Sequence, residues 1–284
     1  MEVAKSFEAG YKGYQAQWSK VFKTIPSPRY EEKFSVRGGY GDITPTTDGG
    51  AYNMMDPKVV GTQTIAPLIY KNAVQMTKMA KVKDNYMSLI EDTKRLGYLL
   101  GIERDTVAAT VLNNAASTTV TWDGVALASA SHLIGDTGDT QSNITTGGIG
   151  VSTLEEALQN FKLQKDQDGR IMNLTAKYIV YPVQKHFQIA KLIDSQMSPE
   201  DANNNVNPIN SLGLIMVPWA QLNGTTFDAM LLSEETMHRL VHKEDYPLQA
   251  TPARDTNTGN DMVQWDLACN YGAIDYLGTY FITA

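Results

Sequence analysis

Cysteine is nearly missing from this chain: Cys269 is the only one in 284 residues. That excludes an intrachain disulfide and any thiol-rich metal site. Its neighbours Leu267, Ala268 and Tyr271 predict a packed strand position rather than a catalytic thiol. Histidine is scarce as well, with four copies, so there are few candidates for acid–base chemistry. No stretch of 18 uninterrupted apolar residues occurs, which predicts no membrane span. Residues 1–10 lack the apolar core of a signal peptide, and a protein made in a cytoplasm is expected. Basic residues are outnumbered, 24 Lys+Arg against 31 Asp+Glu, for a net charge of −7 with no basic run. Nucleic-acid binding depends largely on Lys and Arg neutralising phosphates, so this balance argues against that role.

The usual catalytic signatures are absent too. There is no G-x-S-x-G elbow and no P-loop. Gly147-Gly148-Ile149-Gly150 has no strand-like run before it and no Gly-Lys-Ser/Thr after it, so it reads as a flexible connector. Ser129, Ser131 and His132 are neighbours in sequence, whereas catalytic triads assemble from distant positions. His238 and His242 are four apart, a spacing that on a helix would place both on one face near Glu234 and Glu235. Arg239 stands where a metalloprotease-type motif needs glutamate, so an exposed helix face is favoured over a metal site. Asp136, Asp139, Asp166 and Asp168 read as solvated turn residues.

What is present describes a folded protein. Hydrophobic residues make up 42% and charged residues 19%, outside the range of disordered chains. The length suits one large domain or two ordinary ones. Phe7, Tyr11, Tyr14, Trp18 and Phe22 recur at helical spacing up to Pro26 and Pro28. Such a stripe is either a core face or a surface that docks on a neighbour. Residues 35–75 are turn-rich at Gly38-Gly39-Tyr40-Gly41 and Asp48-Gly49-Gly50, flanked by strand-like Phe34–Arg37, Ala51–Met55 and Val59–Leu68. A long β-hairpin with a bent tip is predicted. Two strands alone are marginal in water, so its Tyr52, Met54, Met55, Val59 and Val60 need a cover.

Residues 84–116 turn helical, with Tyr86, Ile90, Gly97, Leu100, Val107 and Val111 near one stripe and Glu91, Arg95, Glu103 and Arg104 mostly off it. Gly97 and Gly101 each cost about 1 kcal/mol relative to alanine in a helix, which leaves a bend or two shorter helices open. Ser152-Thr153-Leu154-Glu155 matches a capping box. Lys177–Tyr181 reads as a buried strand, and Pro182 opens a helix to about Ile193. Short strands are expected at Gly213–Val217 and Ala229–Leu232, then Tyr246–Ala250, Met262–Cys269 and Leu277–Ile282.

The middle third carries the most specific order. Trp122 leads Asp123-Gly124-Val125, then Ser129-Ala130-Ser131-His132, a helix, Gln164-Lys165-Asp166-Gln167-Asp168-Gly169-Arg170, and Tyr178-Ile179-Val180-Tyr181-Pro182. This order resembles the major capsid proteins of tailed bacteriophages, particularly Mu-like head subunits with the Hong Kong 97 fold. The resemblance implies an α+β fold with an N-terminal arm at 1–34 and an extended hairpin loop at 35–75. It implies a peripheral domain at 76–120 and 233–284, with a continuous spine helix, and an axial domain at 121–232. Lys177 departs from it, standing where many relatives have proline.

The function implied is structural: a non-enzymatic subunit that assembles into hexamers and pentamers of an icosahedral head around double-stranded DNA, without reading its sequence. Expected partners are other copies, a scaffolding protein or equivalent and a portal complex, with no membrane and no cofactor or metal. The place expected is the virion, after assembly in the host cytoplasm. Subunit contacts are expected at Gly38, Gly39, Tyr40, Gly41, Asp48, Gly49, Gly50 and Tyr52, and an axial loop at Asn203, Asn204 and Asn205. An encapsulin-like nanocompartment shell is the alternative, and a metal-dependent soluble enzyme using His238 and His242 is a remote one.

Overall fold

The chain folds as two units: Met1–Glu32 with Ile65–Thr110 and His242–Tyr271, and Lys33–Thr64 with Val111–Val241 and Gly272–Ala284. A computed structural model describes residues 2–77, 79, 86–197 and 206–284.

In the first unit, helix α1 (Glu2–Gly13) and a 3₁₀ turn (Trp18–Lys20) lead to β1 (Lys23–Pro26). The helix therefore stops at Gly13, well before the prolines expected to end it. Later strands β4 (Leu68–Met76), β11 (Leu240–Arg254) and β12 (Asp261–Ala273) complete a sheet ordered β1-β11-β12-β4. Strands β4 and β12 run antiparallel, with Leu68 opposite Cys269 and Met76 opposite Asp261. The long helix α2 (Tyr86–Asn113) is continuous, 28 residues or about 42 Å. Its glycines explain why no bend is needed. A Cβ at Gly97 would fall on the Phe7 carbonyl oxygen, and one at Gly10 on the Lys94 carbonyl oxygen. A Cβ at Gly101 would lie 2.8 Å from Tyr14 Cβ. The glycines let α1 and α2 meet backbone to backbone, so their propensity cost secures close packing.

The aromatic stripe of residues 7–22 packs against its own unit, with Phe7 and Phe22 buried and Tyr11, Tyr14 and Trp18 partly covered. Phe7 is fully buried and stacks on Trp265 at 4.3 Å, and Phe22 meets Tyr271 edge-on at 5.3 Å. The buried carboxylate of Asp105 accepts from Tyr14 Oη (2.9 Å) and from the N–H groups of Gln17 (2.9 Å) and Trp18 (3.0 Å). It thereby satisfies donors at the start of the 3₁₀ turn. Arg104, expected off the apolar stripe, is buried. Its guanidinium donates to Tyr11 Oη and, at 3.1 Å, to His242 Nε2, and lies 5.0 Å from the Trp18 ring centroid.

In the second unit, β2 (Glu32–Gly38) pairs with β3 (Lys58–Ile65) and β5 (His132–Leu133) with β6 (Thr140–Gln141), each as a two-stranded sheet. The hairpin's two strands are β2 and β3 alone: β4 belongs to the other sheet, and Ala51–Met55, expected as a strand, forms none. The core is a sheet of β7 (Ile144–Thr146), β13 (Thr279–Thr283), β10 (Ala229–Leu232), β8 (Tyr178–Pro182) and β9 (Ile215–Trp219), in that spatial order. β10 runs antiparallel to β8 and β13, while β8–β9 and β13–β7 are parallel. Alternate residues Ile179/Tyr181, Ala229/Leu231 and Tyr280/Ile282 share one face, as a period of two requires. They pack with Leu154, Ala157 and Phe161 of α3 (Val151–Lys162) and Ile189, Leu192 and Ile193 of α4 (His186–Asp194).

Two local expectations change. Ser152 does not cap α3; Gly150 does, and its N–H donates to Thr153 Oγ1 at 2.9 Å. The glycine run before it is fixed by hydrogen bonds, with Gly148 N–H on Thr283 O (2.8 Å) and Ile149 N–H on Asp228 Oδ2 (3.0 Å). Pro182 ends β8 and precedes a 3₁₀ turn, Val183–Lys185, from which α4 continues.

Candidate functional site

Two of the middle-third motifs, Trp122–Val125 and Gln164–Arg170, meet the base of the hairpin. Gln164–Arg170 forms a tight loop in which Asp166 Oδ1 accepts the N–H groups of Asp168 (2.9 Å) and Arg170 (2.8 Å). That Asx-type turn holds the Asp168 carboxylate against the base of the hairpin. There it accepts the N–H of Gly39 at Oδ1 and of Tyr40 at Oδ2 (3.1 Å), while Arg170 reaches Asp42 at 3.5 Å. Asp168 is therefore a clamp on the hairpin rather than a solvated turn residue. Gly38 is buried, because a Cβ there would come 2.9 Å from Gln167 Cβ and 3.0 Å from Val60 Cγ2.

Trp122 supports the other strand. Its ring lies where a Cβ on Gly61 would point, and Gln63 Nε2 donates to Val120 O at 2.9 Å. Trp122 Nε1 donates to Asp275 Oδ1 (3.1 Å), and Gln167 Nε2 to Asp275 Oδ2 (3.4 Å). Asp275 thus joins the two walls of the socket. Behind it, His132 Nδ1 donates to Asp123 Oδ2 at 2.8 Å, and the imidazole stacks on Tyr276 at 4.0 Å. Burial opposes ionisation of Asp123, but hydrogen bonds from His132 and Thr121 outweigh it and hold the carboxyl below its usual range. Ser129 Oγ accepts the Ser131 N–H at 3.2 Å, and His132 Nε2 faces Leu127 O at 3.2 Å, so this His bonds no serine.

Beyond the socket the tip protrudes. Gly50 N–H closes a turn on Thr47 O at 2.9 Å, with Gly49 at φ +79°, a conformation glycine takes without penalty. Asn53 Nδ2 donates to Thr44 Oγ1 at 3.1 Å, tying the two sides together. Gly41 and Asp48 lie exposed in the same loop. Tyr52 is 95% exposed, Met54 90% and Ile43 86%, while Tyr40 and Met55 are about half covered. The expected contact residues Gly38–Gly41 thus form the anchored base, and Asp48–Tyr52 the free end. Asn203, Asn204 and Asn205 lie outside the described residues. Nearby, Asn207 Nδ2 donates to Leu192 O (2.7 Å) and Ser195 O (3.0 Å).

The histidine pair has a different setting from the one expected. His238 precedes β11 and His242 lies within it, so the two share no helix, and both are buried. His242 Nδ1 faces Thr24 Oγ1 at 3.2 Å and Nε2 faces Arg104. Among the described residues no group of three or more His, Cys, Asp or Glu side chains is placed to hold a metal ion. No described helix is long and apolar enough to cross a membrane.

Comparisons fit this geometry. Residues 60–282 match the family model described as phage capsid protein. No curated protein matches the chain. Among solved structures, it is similar to the mature capsid asymmetric unit of bacteriophage PhiM1, with TM-score 0.58 and 11% identity over 95% of this chain and 87% of that one. It is similar to the procapsid of bacteriophage JBD30, with TM-score 0.54 and 11% identity over 100% and 73%. A virus-like particle from Pyrococcus furiosus gives TM-score 0.54 and 9% identity over 99% and 98%.

Proposed function

We propose, from the premise that this chain belongs to the phage capsid protein family, that its copies form hexamers and pentamers in which each hairpin reaches across the next subunit. The chain is a structural component of the phage head, with the α+β fold of Hong Kong 97-type capsids, and not an enzyme. One observation carries the interlocking role: Tyr52 and Met54 stand almost fully exposed on a loop whose base is fixed by Asp168 and Trp122. A rigid base with an uncovered apolar end suits a surface that becomes buried only in the assembly, and obligate interfaces commonly bury about 2,000–5,000 Å².

Within this reading, residues 1–34 are the arm and 35–75 the extended loop. Residues 76–120 with 233–284 are the peripheral domain and 121–232 the axial domain, Asn203–Asn205 lying at the capsomer axis. Support comes from α2 up to Thr110 and β11 and β12 between His242 and Tyr271 falling in one unit, and from Val111–Val241 falling in the other, which also takes Gly272–Ala284. A scaffolding protein and a portal complex are the further partners, and the acidic chain encloses DNA without gripping it. The order Asp123-Gly124-Val125, Ser129–His132, Gln164–Arg170 and Tyr178–Pro182 supports placing it with the Mu-like head subunits. The Pyrococcus particle shares the fold, which keeps a nanocompartment shell as the second reading; shells carrying cargo enzyme instead of DNA would favour it. Deleting Gly39–Gly50 tests the hairpin's role: the subunit should keep its circular dichroism and thermal transition, yet electron microscopy should find no closed shells. Normal shells from that variant would make the hairpin an ordinary surface loop.

A further inference from the structure

We propose that the open edge of β4 receives Ala51–Met55 of a second copy as an added strand, Tyr52 and Met54 filling the groove beside it. This deepens the shell-forming reading and rests on it. Two unpartnered features of the same chain carry it. β4 has nine residues and ends its sheet, bonded to β12 on one side, with no described strand on the other. Proteins usually blunt such edges with proline, bulges, short strands or charged side chains, lysine above all. The opposite edge of this sheet follows that rule, since β1 has four residues and ends in Pro26. β4 contains no proline, and its one charge is Lys71.

The second feature is a segment with strand character and no strand partner. Ala51-Tyr52-Asn53-Met54-Met55 is bounded by Gly50 and by Asp56-Pro57, and none of it is in a sheet. In an extended chain, alternate side chains share a face, so Tyr52 and Met54 point the same way. Strand addition gives main-chain hydrogen bonds for affinity and pockets for alternate side chains for specificity. Beside β4 lies a groove of about 420 Å³ lined by Ile69–Asn72, Leu96, Leu99, Leu100 and Trp265. Ile69 and Leu99 there remain about half exposed, at 56% and 47%. Charge agrees: residues 39–57 hold Asp42, Asp48 and Asp56 and no Lys or Arg, while β4 offers Lys71 and no acid. Glu103 is the one acid lining the groove.

Engineered disulfides test this, since Cys269 is buried and contributes no background. Asn53→Cys is combined in one chain with Lys71→Cys, Asn72→Cys or Ala73→Cys, all exposed positions, and assembled particles are mildly oxidised. Disulfides need Cα atoms about 4.4–6.8 Å apart, the spacing of paired strands. At least one pairing should give a ladder of covalent multimers on non-reducing gels, at least about tenfold above Asn53→Cys with Glu156→Cys on α3. In parallel, hydrogen exchange of residues 68–76 should slow at least about tenfold on assembly. Intact shells with no ladder from any of the three pairings, or a control ladder as strong, overturn the strand addition and leave the shell reading standing. A chain that stays monomeric under all conditions overturns both.

Discussion

The N-terminal segment and the hairpin tip look alike in sequence, each an aromatic-bearing stretch outside any obvious core. The structure separates them. Phe7 is fully buried and Tyr52 is 95% exposed. What differs is the receiver. Around Phe7 the chain supplies glycines at 10, 97 and 101, a buried Asp105 for the turn that follows, and Trp265 to stack upon. For Tyr52 the second unit supplies a clamp at the loop's base and nothing at its end. Whether an apolar segment belongs to its own core or to an interface is therefore decided by residues far away in sequence.

Truncating one aromatic residue in each segment should have opposite consequences. Phe7→Ala should cost about 3–5 kcal/mol of stability, since it removes a fully buried ring. Tyr52→Ala should change the unassembled subunit by no more than about 0.5 kcal/mol, as for surface sites generally, yet should impair shell formation. Thermal unfolding and sedimentation read the two effects separately. Equal stability losses would show that the tip has a cover within its own subunit.

Overpacking tests the glycine crossing. Gly97→Ala should destabilise by about 1–3 kcal/mol although alanine is the better helix former, because its Cβ meets the Phe7 carbonyl. Denaturant midpoints would show it. A gain in stability would mean that α1 and α2 do not approach as described.

Acid should loosen the same region. Burial first, then the adjacent Arg104, pushes the His242 pKa down to about 3. Arg104 donates to Nε2, so the ring accepts there, and Nδ1 carries the proton toward Thr24. The unfolded chain takes up a proton near pH 6.5, whereas the folded chain refuses it until about pH 3. The unfolded state therefore binds more protons in that window, and stability is lost as pH falls through it. Between pH 6.5 and 5 the loss should be about 1–2 kcal/mol, at about 1.4 kcal/mol per pH unit once the unfolded histidine is protonated. Unfolding curves at stepped pH should show it, and His242→Gln should flatten that slope. An unchanged slope would assign the acid sensitivity to carboxylates instead.

Elements governed by local periodicity were legible from sequence. Ala229–Leu232 is a strand at the expected residues, and the long helix spans most of the expected stretch. Arg104 was misplaced because a helical wheel marks a charged residue as solvent-facing, whereas its aromatic surroundings come from α1, the 3₁₀ turn and β11. The i,i+4 spacing of His238 and His242 suggested a helix, but Leu240-Val241 suit the strand that forms, and Pro247 disfavours a helix continuing past them. The socket was only half visible. Asp166 and Asp168 announced a turn, but no local pattern says that the second carboxylate meets Gly39 and Tyr40, some 129 and 128 residues away in the chain.

The smallest expected effect probes that clamp. Asp168→Asn keeps the side-chain shape and one acceptor oxygen, and removes the charge and the second acceptor. One of the two bonds to Gly39 and Tyr40 is then lost, and Arg170 loses its 3.9 Å partner while keeping Asp42. The site is partly exposed, so the stability cost should be no more than about 1 kcal/mol, within reach of a single net hydrogen bond. The consequence for aim should be larger than that for stability, since Trp122 against Gly61 still holds the other strand and the loop would pivot rather than detach. Hydrogen exchange should quicken at Gly39 and Tyr40 while β8 and β10 stay protected. Assembly should slow or yield irregular particles without loss of the folded subunit. Unchanged exchange at Gly39 and Tyr40 would show that Trp122 and the β2–β3 pairing fix the hairpin without help from Asp168.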